Sequence, residues 1–197
     1  MATQETLDNT MTALQLSVCL FCGSRPGSSP AFTVAARSLG AAIANRGHRL
    51  VYGAGDRGLM GEAARAAQQS GGAVTGIIPQ HLVDLEVGKV DLDDYVVVNS
   101  MHTRKMMMFE RSDAVVTLPG GPGTLDELIE VLTWRQLGLH SRPVMLVNIE
   151  GYWDPLIKLL RHTVDNGFAS ASFLDFLEVV PEPEEAISRI ERRLGGA

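Results

Sequence analysis

The segment AVVTLPGGPGTLDELIEVLTW, residues 114–134, joins an apolar run to a glycine-rich turn and then to a helical pattern. Residues 114–118 are apolar without alternation, which is typical of a strand buried on both faces of a sheet. After the turn, apolar side chains recur at positions 125, 128, 129 and 132, the spacing of one helix face. The segment therefore predicts a strand, a loop and a helix beginning near Thr124.

The same succession repeats along the chain. Apolar runs lie at 15–22, 49–53, 73–79, 95–99, 114–118, 143–149 and 177–180, and helical patterns at 30–46, 59–71, 102–112, 124–138, 153–166 and 183–194. Such alternation predicts an α/β fold, a three-layer sandwich with helices on both faces of a mostly parallel sheet of about seven strands. We expect residues 14–197 to form one domain and the polar residues 1–13 to be a frayed tail.

Composition excludes several classes of protein. The chain has 197 residues, 45% of them hydrophobic, and a formal net charge of −6, which disfavours binding to a nucleic-acid backbone. No apolar run approaches the roughly 18 residues of a membrane span, and residues 1–13 lack the features of a signal peptide. We therefore expect a cytoplasmic protein that binds neither nucleic acid nor membrane.

The two cysteines, Cys19 and Cys22, form a CxxC pattern within the first predicted strand. Residues three positions apart on a strand point to opposite faces, so these thiols are expected to be separate core residues. No second cysteine pair is present, and the five histidines are scattered. We expect no metal site and no disulfide, which fits a reducing compartment.

Ligands of parallel α/β sheets bind beyond the carboxyl ends of the strands, so the loops there are the candidate sites. The loop 23–30 is rich in hydroxyl groups, and Ser24 could hold a phosphate or a ribose; an ordinary turn capped by Ser29 is equally consistent. The loop 53–61 carries GxGxxG, with Gly53 and Gly55, but lacks the acidic residue expected about 20 positions later in a dinucleotide site. Its glycines still indicate a close approach to the backbone.

The loop Pro119-Gly120-Gly121-Pro122-Gly123-Thr124 is suited to a phosphate group. Glycines let backbone N–H groups approach an anion, and the N-terminus of the following helix adds unpaired N–H groups and a positive dipole end. No Gly-Lys-Ser/Thr follows, so this is not a triphosphate loop. Thr124 and Glu127 also fit a capping box, so Glu127 is either a capping residue or a functional acid.

Arg104 and Lys105 lie at the start of the helix predicted at 102–112. Cations there oppose the helix dipole unless an anion or carboxylate lies nearby, and this placement favours a functional role for Arg104. The methionines 106–108 and Phe109 are more typical of core or subunit-interface packing than of a cofactor site.

These motifs together resemble the Lonely Guy (LOG) family. Residues 119–127 match its PGGxGTxxE signature, Met101-His102-Thr103-Arg104-Lys105 is similar to its MHxRK element, and 53–61 resembles its GGGxxGLMG stretch, with Ala54 in place of a glycine. Residues 22–24 and Gly151-Tyr152-Trp153-Asp154-Pro155-Leu156 also fit the pattern. The resemblance extends from about residue 16 to 190, with the motifs in the family's order and spacing.

The resemblance implies a Rossmann-like, usually dimeric cytokinin riboside 5'-monophosphate phosphoribohydrolase that needs no cofactor and commonly accepts AMP. Arg104 and Glu127 match the family's catalytic pair, and the expected mechanism has Arg104 orienting Glu127 and keeping it ionised. Glu86 falls where the family places an acid that contacts the substrate. The candidate residues for binding substrate or phosphate are Ser24, Gly53, Gly55, Glu86, Met101, Lys105, Gly120, Gly121, Pro122, Gly123, Thr124 and Asp126.

Two other classes of protein remain open. One is a non-catalytic carrier of a nucleotide or of the molybdenum cofactor on the same fold, and the other is a dinucleotide-dependent oxidoreductase. Related sequences have also been labelled lysine decarboxylases, but such chemistry wants a lysine Schiff base to pyridoxal phosphate. None of the few lysines lies in a recognisable pocket of that kind.

Overall fold

Seven strands form a single sheet in the computed structural model, which describes residues 14–83, 88–89 and 91–195. The strands are β1 (Ser17–Phe21), β2 (Arg49–Tyr52), β3 (Val74–Pro79), β4 (Asp94–Val98), β5 (Ala114–Thr117), β6 (Val144–Val147) and β7 (Glu178–Val180). Every neighbouring pair is parallel, in the order β4-β3-β2-β1-β5-β6-β7. The sheet is thus parallel among all the described strands, where the sequence predicted a mostly parallel one.

Helices connect the strands. They are α1 (Pro30–Asn45), α2 (Gly58–Gln69), α3 (Gln80–Val83), α4 (Met101–Glu110), α5 (Pro122–Gln136), α6 (Asp154–Asp165) and α7 (Pro183–Gly195). Two 3-10 helices, Ile149–Gly151 and Ala171–Phe176, follow β6 and α6. The sequence predicted the six longer helices to within two residues at each end, and it did not predict α3 or the 3-10 helices.

The helices pack in two layers because side chains alternate across the strands. One hydrophobic cluster joins the sheet to α1, α2 and α7 and contains Cys22; the other joins it to α4, α5 and α6 and contains Cys19. Both thiols are free and buried, on opposite sides of the sheet as predicted. The three-layer α/β sandwich with a Rossmann-like topology is confirmed.

Strand β1 marks the point where the order of the strands reverses. It pairs with β2 on one side and with β5 on the other, so that chain connections leave in opposite directions. Such a switch point opens a crevice at the carboxyl ends of the central strands, and ligands of this fold class bind there.

Two expectations concern the ends and surface of the chain. The frayed tail predicted at 1–13 lies outside the described residues, so it stays a prediction. None of the helices in the described ranges combines the length and the apolar character that crossing a membrane requires.

Candidate active site

A pocket of about 280 Å³ opens at the switch point. Its walls come from the end of β1 and the loop after it, from Gly53 after β2, from α2, α3 and α4, and from the start of α5. The lining residues are Leu20, Cys22, Gly23, Ser24, Gly53, Met60, Leu82, Met101, Arg104, Met108, Gly121, Pro122, Gly123, Thr124, Asp126 and Glu127. Most of the residues that the sequence singled out are therefore brought together in one place.

The glycine loop forms one wall of this pocket. Helix α5 begins at Pro122, and Gly121 is its N-cap with an extended backbone and no side-chain capping bond. The first helical backbone bond runs from the Leu125 N–H to the Gly121 carbonyl oxygen, at 3.1 Å. The N–H groups of Gly121, Gly123 and Thr124 find no acceptor within the described part of the chain, which leaves them free for an anion.

The helix begins two residues earlier than predicted, and this settles the role of the Thr124 and Glu127 pair. With Gly121 as N-cap, Thr124 lies inside the first turn and cannot cap it, so the capping box is not formed. The Thr124 side chain packs under Gly120 instead: a Cβ on Gly120 would stand 2.1 Å from the Thr124 Oγ1. Glu127 is left free of a capping role.

Gly120 lines a second, neighbouring cavity of about 470 Å³. We call it the rear cavity; its other lining residues include Arg25, Phe32 and Tyr152, and it shares Gly23, Ser24, Gly121 and Pro122 with the first pocket. The Gly23 N–H donates to the Pro119 carbonyl oxygen at 3.0 Å, which ties the glycine loop to the end of β1. The loop therefore borders both cavities.

Arg104 is buried at the base of the pocket, with 6% of its surface exposed. Its Nε donates to the Ile77 carbonyl oxygen at 3.1 Å and its Nη2 to the Gly53 carbonyl oxygen at 2.7 Å. No carboxylate of the described residues lies within 4.0 Å of the guanidinium. Its Nη1 also lies 3.9 Å from the Met101 Sδ, so all the described partners of the guanidinium are uncharged and its charge is available for a ligand.

The expected pairing of Arg104 with Glu127 is not formed within the described residues. Burial raises the pKa of the Glu127 carboxyl to about 7, and Arg104 opposes this rise without cancelling it. The neighbouring carboxylates Asp126 and Glu130 raise this pKa further, while Lys105 lowers it. Arg104 thus favours the ionised form of Glu127, as expected, but loss of hydration outweighs the attraction of this one cation and the pKa stays above its ordinary value.

Lys105 does not line the pocket, contrary to its predicted role in binding substrate or phosphate. It is buried, and its Nζ lies 2.9 Å from the Asp126 Oδ2 and 3.0 Å from the Glu130 Oε2, so it joins α4 to α5. Burial works to lower the pKa of Lys105, but the hydrogen bonds and charges of these two carboxylates outweigh it and raise the pKa. Lys105 is therefore held in an ion-pair cluster with Asp126 and Glu130, which lie on either side of Glu127 in the sequence.

The remaining predicted residues divide into three groups. Ser24, Gly53, Met101 and Asp126 line the pocket. Gly55 does not; it forms an isolated antiparallel bridge with Gly88. Glu86 lies outside the described residues.

The apolar part of the pocket is lined by Leu20, Met60, Leu82 and Met108, together with the thiol of Cys22, whose pKa is raised by burial. The sequence did not single out Leu20, Met60 or Leu82. These residues look like ordinary core residues in the sequence, and only their position at strand and helix ends could have indicated a wall. In the described part of the chain, no group of three His, Cys, Asp or Glu side chains is arranged to hold a metal ion.

Comparisons with known proteins identify a matching family model, similar sequences and similar structures. A family model described as "Possible lysine decarboxylase" matches residues 60–190. A probable cytokinin riboside 5'-monophosphate phosphoribohydrolase of Oryza sativa subsp. japonica is 40% identical over 175 residues, 89% of this chain and 78% of the relative. A second from the same plant is 42% identical over 174 residues, 88% of this chain and 71% of the relative. A cytokinin riboside 5'-monophosphate phosphoribohydrolase of Arabidopsis thaliana is 40% identical over 174 residues, which cover 88% of this chain and 76% of the relative.

Among solved structures, the molybdenum cofactor binding protein of Rippkaea orientalis superposes with a TM-score of 0.70 at 23% identity, covering 92% of this chain and 98% of that chain. The molybdenum cofactor carrier protein of Chlamydomonas reinhardtii gives a TM-score of 0.71 at 22% identity, covering 93% of this chain and 100% of that chain. At these identities the likeness shows a shared fold only.

Proposed function

The chain belongs to the Lonely Guy family, and from that premise we propose that it hydrolyses the N-glycosidic bond of cytokinin riboside 5'-monophosphates and of AMP, releasing the free base and ribose 5-phosphate. The observation that carries this proposal is the composition of the pocket. One cavity brings together the free N–H groups of the glycine loop, the carboxyl of Glu127 with a pKa of about 7, and the Arg104 guanidinium. These are an anion site, an acid-base group and a fixed cation.

The glycine loop is the proposed site of the 5'-phosphate. The N–H groups of Gly121, Gly123 and Thr124 and the N-terminus of α5 provide donors and a positive dipole end, and the Ser24 hydroxyl lies on the same wall. Binding the phosphate there would place the ribose beside Glu127, which is less than two turns further along α5. The apolar side chains Met60, Leu82 and Met108 would then contact the base.

Hydrolysis passes through a ribose with oxocarbenium character. Glu127 in its ionised form takes a proton from a water molecule, whose oxygen bonds to C1' of the ribose as the bond from C1' to the base nitrogen breaks. The electron pair of that bond leaves with the base, which takes up one proton from solvent, and Glu127 releases to solvent the proton that it accepted from water. The Arg104 N–H groups that the Gly53 and Ile77 carbonyls do not use are free to donate to ribose hydroxyls.

Decarboxylation of lysine is not supported by the side chains that line the pocket. The chain has lysines only at positions 89, 105 and 158, and none of them lines the pocket. Lys89 lies 2.8 Å from Asp91, Lys105 is bound to Asp126 and Glu130, and Lys158 is exposed on α6. A lysine Schiff base in this cavity would have no source in the described fold.

A second copy of the chain is the proposed partner. Adjacent helices α4 and α5 expose the apolar side chains of Met101, Met106 and Ile129, each at least 38% exposed. Burying such a surface against a second copy removes apolar area from water. Met101 also lines the pocket, so a homodimer formed here would border the site. The two free cysteines fit a cytoplasmic location.

The test is release of free base. Purified protein incubated with AMP should yield adenine and ribose 5-phosphate, whereas a molybdenum-cofactor or nucleotide carrier would bind without turnover. Glu127→Gln should reduce the rate by about 100-fold or more while keeping AMP binding, as expected for loss of an acid-base group. Release at the wild-type rate by this variant would remove Glu127 from the mechanism. Comparing rates for AMP and isopentenyladenosine monophosphate identifies the preferred base.

A further inference from the structure

Tyr152 is the feature that the proposed mechanism leaves unused. It lies behind the glycine loop, in the rear cavity, and its hydroxyl donates to the Gly120 carbonyl oxygen at 2.6 Å. Phe32 and Trp153 hold its ring edge-on, with centroid distances of 5.4 Å and 4.8 Å. The residue is 40% exposed, so contact with the loop is a more specific role for it than filling the core.

The turn that carries Tyr152 is built in an unusual conformation. Glu150 and Gly151, which precede it, both have positive φ angles, of 52° and 71°. A non-glycine residue in that region is strained, and the strain persists only where the surroundings fix it. The Asn148 side chain supplies such fixation, because its Oδ1 accepts from the Trp153 N–H at 2.7 Å and its Nδ2 donates to the Asp154 Oδ1 at 2.8 Å.

The contact with Gly120 determines where the next N–H points. The peptide between Gly120 and Gly121 is trans, so its C=O and N–H groups point in opposite directions. Because the Gly120 carbonyl points to the Tyr152 hydroxyl, the Gly121 N–H points away from Tyr152, and Gly121 lines the first pocket, which Tyr152 does not line. A peptide between two glycines has little steric resistance to rotation, so an external contact is needed to fix it.

We propose that Tyr152 is a positioning residue for phosphate recognition: its hydroxyl locks the Gly120–Gly121 peptide so that the Gly121 N–H is aimed at the 5'-phosphate. This rests on the proposed function in taking the glycine loop as the phosphate site. The residue itself does not line the pocket that would hold the substrate. It acts from behind the loop, by removing an alternative orientation in which a carbonyl oxygen would face the phosphate and repel it.

The test is Tyr152→Phe, which keeps the ring and removes only the hydroxyl. The matched control is Tyr95→Phe on β4, because the Tyr95 hydroxyl has no hydrogen-bond partner among the described residues. Calorimetry should show ribose 5-phosphate and AMP binding about 10-fold more weakly to Tyr152→Phe, the scale of one hydrogen bond to a charged group. Adenine should bind as it does to the wild type. In turnover, KM for AMP should rise by a similar factor with kcat little changed, and Tyr95→Phe should match the wild type.

The possible results separate this inference from the proposed function. If Tyr152→Phe binds ribose 5-phosphate as tightly as the wild type while its melting temperature falls, Tyr152 is merely structural and the inference is wrong. If the wild type releases no free base from AMP or from isopentenyladenosine monophosphate, but Tyr152→Phe still binds ribose 5-phosphate more weakly, the enzyme assignment fails and the inference stands. If kcat falls while phosphate affinity is unchanged, the residue serves catalysis in another way and the inference is again overturned.

Discussion

The Nη2 of Arg104 and the carbonyl oxygen of Gly53 are 2.7 Å apart, and a Cβ on residue 53 would stand 1.9 Å from that same nitrogen. The guanidinium thus occupies the space that any other residue at position 53 would fill. Gly53 belongs to the glycine-rich motif that resembled a dinucleotide fingerprint in the sequence. The described contacts give this glycine a different purpose, which is to admit an arginine side chain against the end of β2.

Gly53→Ala should therefore displace Arg104 without unfolding the protein, since the colliding atoms are the end of a flexible side chain. We expect AMP hydrolysis to fall by about 100-fold, comparable with loss of a fixed electrostatic group from an active site. Gly195→Ala is the control, because its Cβ would meet only the Leu14 Cδ2, at 3.9 Å. A fully active Gly53→Ala enzyme would show that the position of Arg104 is unimportant.

The raised pKa of Glu127 predicts a pH-dependent cost to stability. The ordinary pKa is 4.5 and the pKa in the folded state is about 7, so ionising the carboxyl destabilises the folded state relative to the unfolded state. The cost is absent below pH 4.5, grows through the interval, and is complete above pH 7. Glu127→Gln removes it, and the gain in unfolding free energy should reach at most about 3 kcal/mol at pH 8 and stay under about 1 kcal/mol at pH 5.

Urea unfolding of the wild type and the variant at the two pH values measures this difference. Glu110→Gln, at an exposed position at the end of α4, provides the comparison and should change stability equally at both. Equal effects of Glu127→Gln at pH 5 and pH 8 would mean that the carboxyl titrates normally.

Activity should follow the same ionisation. If Glu127 acts as a base, kcat/KM for AMP should rise as the pH increases toward 7 and level off above it, because only the ionised carboxylate accepts a proton. Lys105→Met should move the midpoint of this rise to higher pH, by roughly half a unit to one unit, since it removes a cation and exposes Glu127 to the unneutralised charges of Asp126 and Glu130.

Lys89→Met is the matched variant for that experiment, as Lys89 is a similarly buried lysine paired with Asp91. Its pH profile should coincide with that of the wild type. A profile for Lys105→Met that drops in height without moving along the pH axis would reduce Lys105 to a packing contact between α4 and α5.

The proposed dimer predicts that a charge on α4 separates the subunits. Met106 is 44% exposed, so Met106→Glu should leave the monomer folded and shift the mass in solution to that of one chain. Leu159→Glu places the same charge on α6 at a side chain that is 57% exposed, and it should have no effect on mass. Light scattering coupled to gel filtration distinguishes these outcomes; a wild-type monomer would remove the dimer altogether.

The sequence was sufficient for the architecture. All seven strands were predicted near their observed positions, because the strands of an all-parallel sheet are continuous apolar runs that can be recognised in the sequence. The start of α5 was predicted at Thr124 but lies at Pro122. The error arose because Thr124 and Glu127 have the spacing of a capping box, whereas the actual N-cap, Gly121, has no side chain that could mark the helix start in the sequence.

The site was predicted less completely than the fold. Arg104 was identified by its unfavourable place at a helix start, yet its partners are the carbonyls of Ile77 and Gly53, which carry no side-chain signal. Lys105 looked equivalent to Arg104 in the sequence. One position of difference turns its side chain toward α5 instead of the pocket, because successive helical residues project about 100° apart.

Because β1 lies at the centre of the sheet, the pocket forms only when distant segments of the chain have come together. Strands β1 and β5 are paired neighbours, and the Ser17 N–H at the start of β1 donates to the Oδ2 of Asp113, the residue before β5, which is 96 positions away in the chain. The pocket is made from the ends of these distant segments, so no fragment of the chain contains it, and pairing of such long-range contacts is slow in folding. A ligand of this pocket can therefore bind only the assembled domain, and it raises the free energy of unfolding by an amount that grows with the ratio of free ligand concentration to Kd.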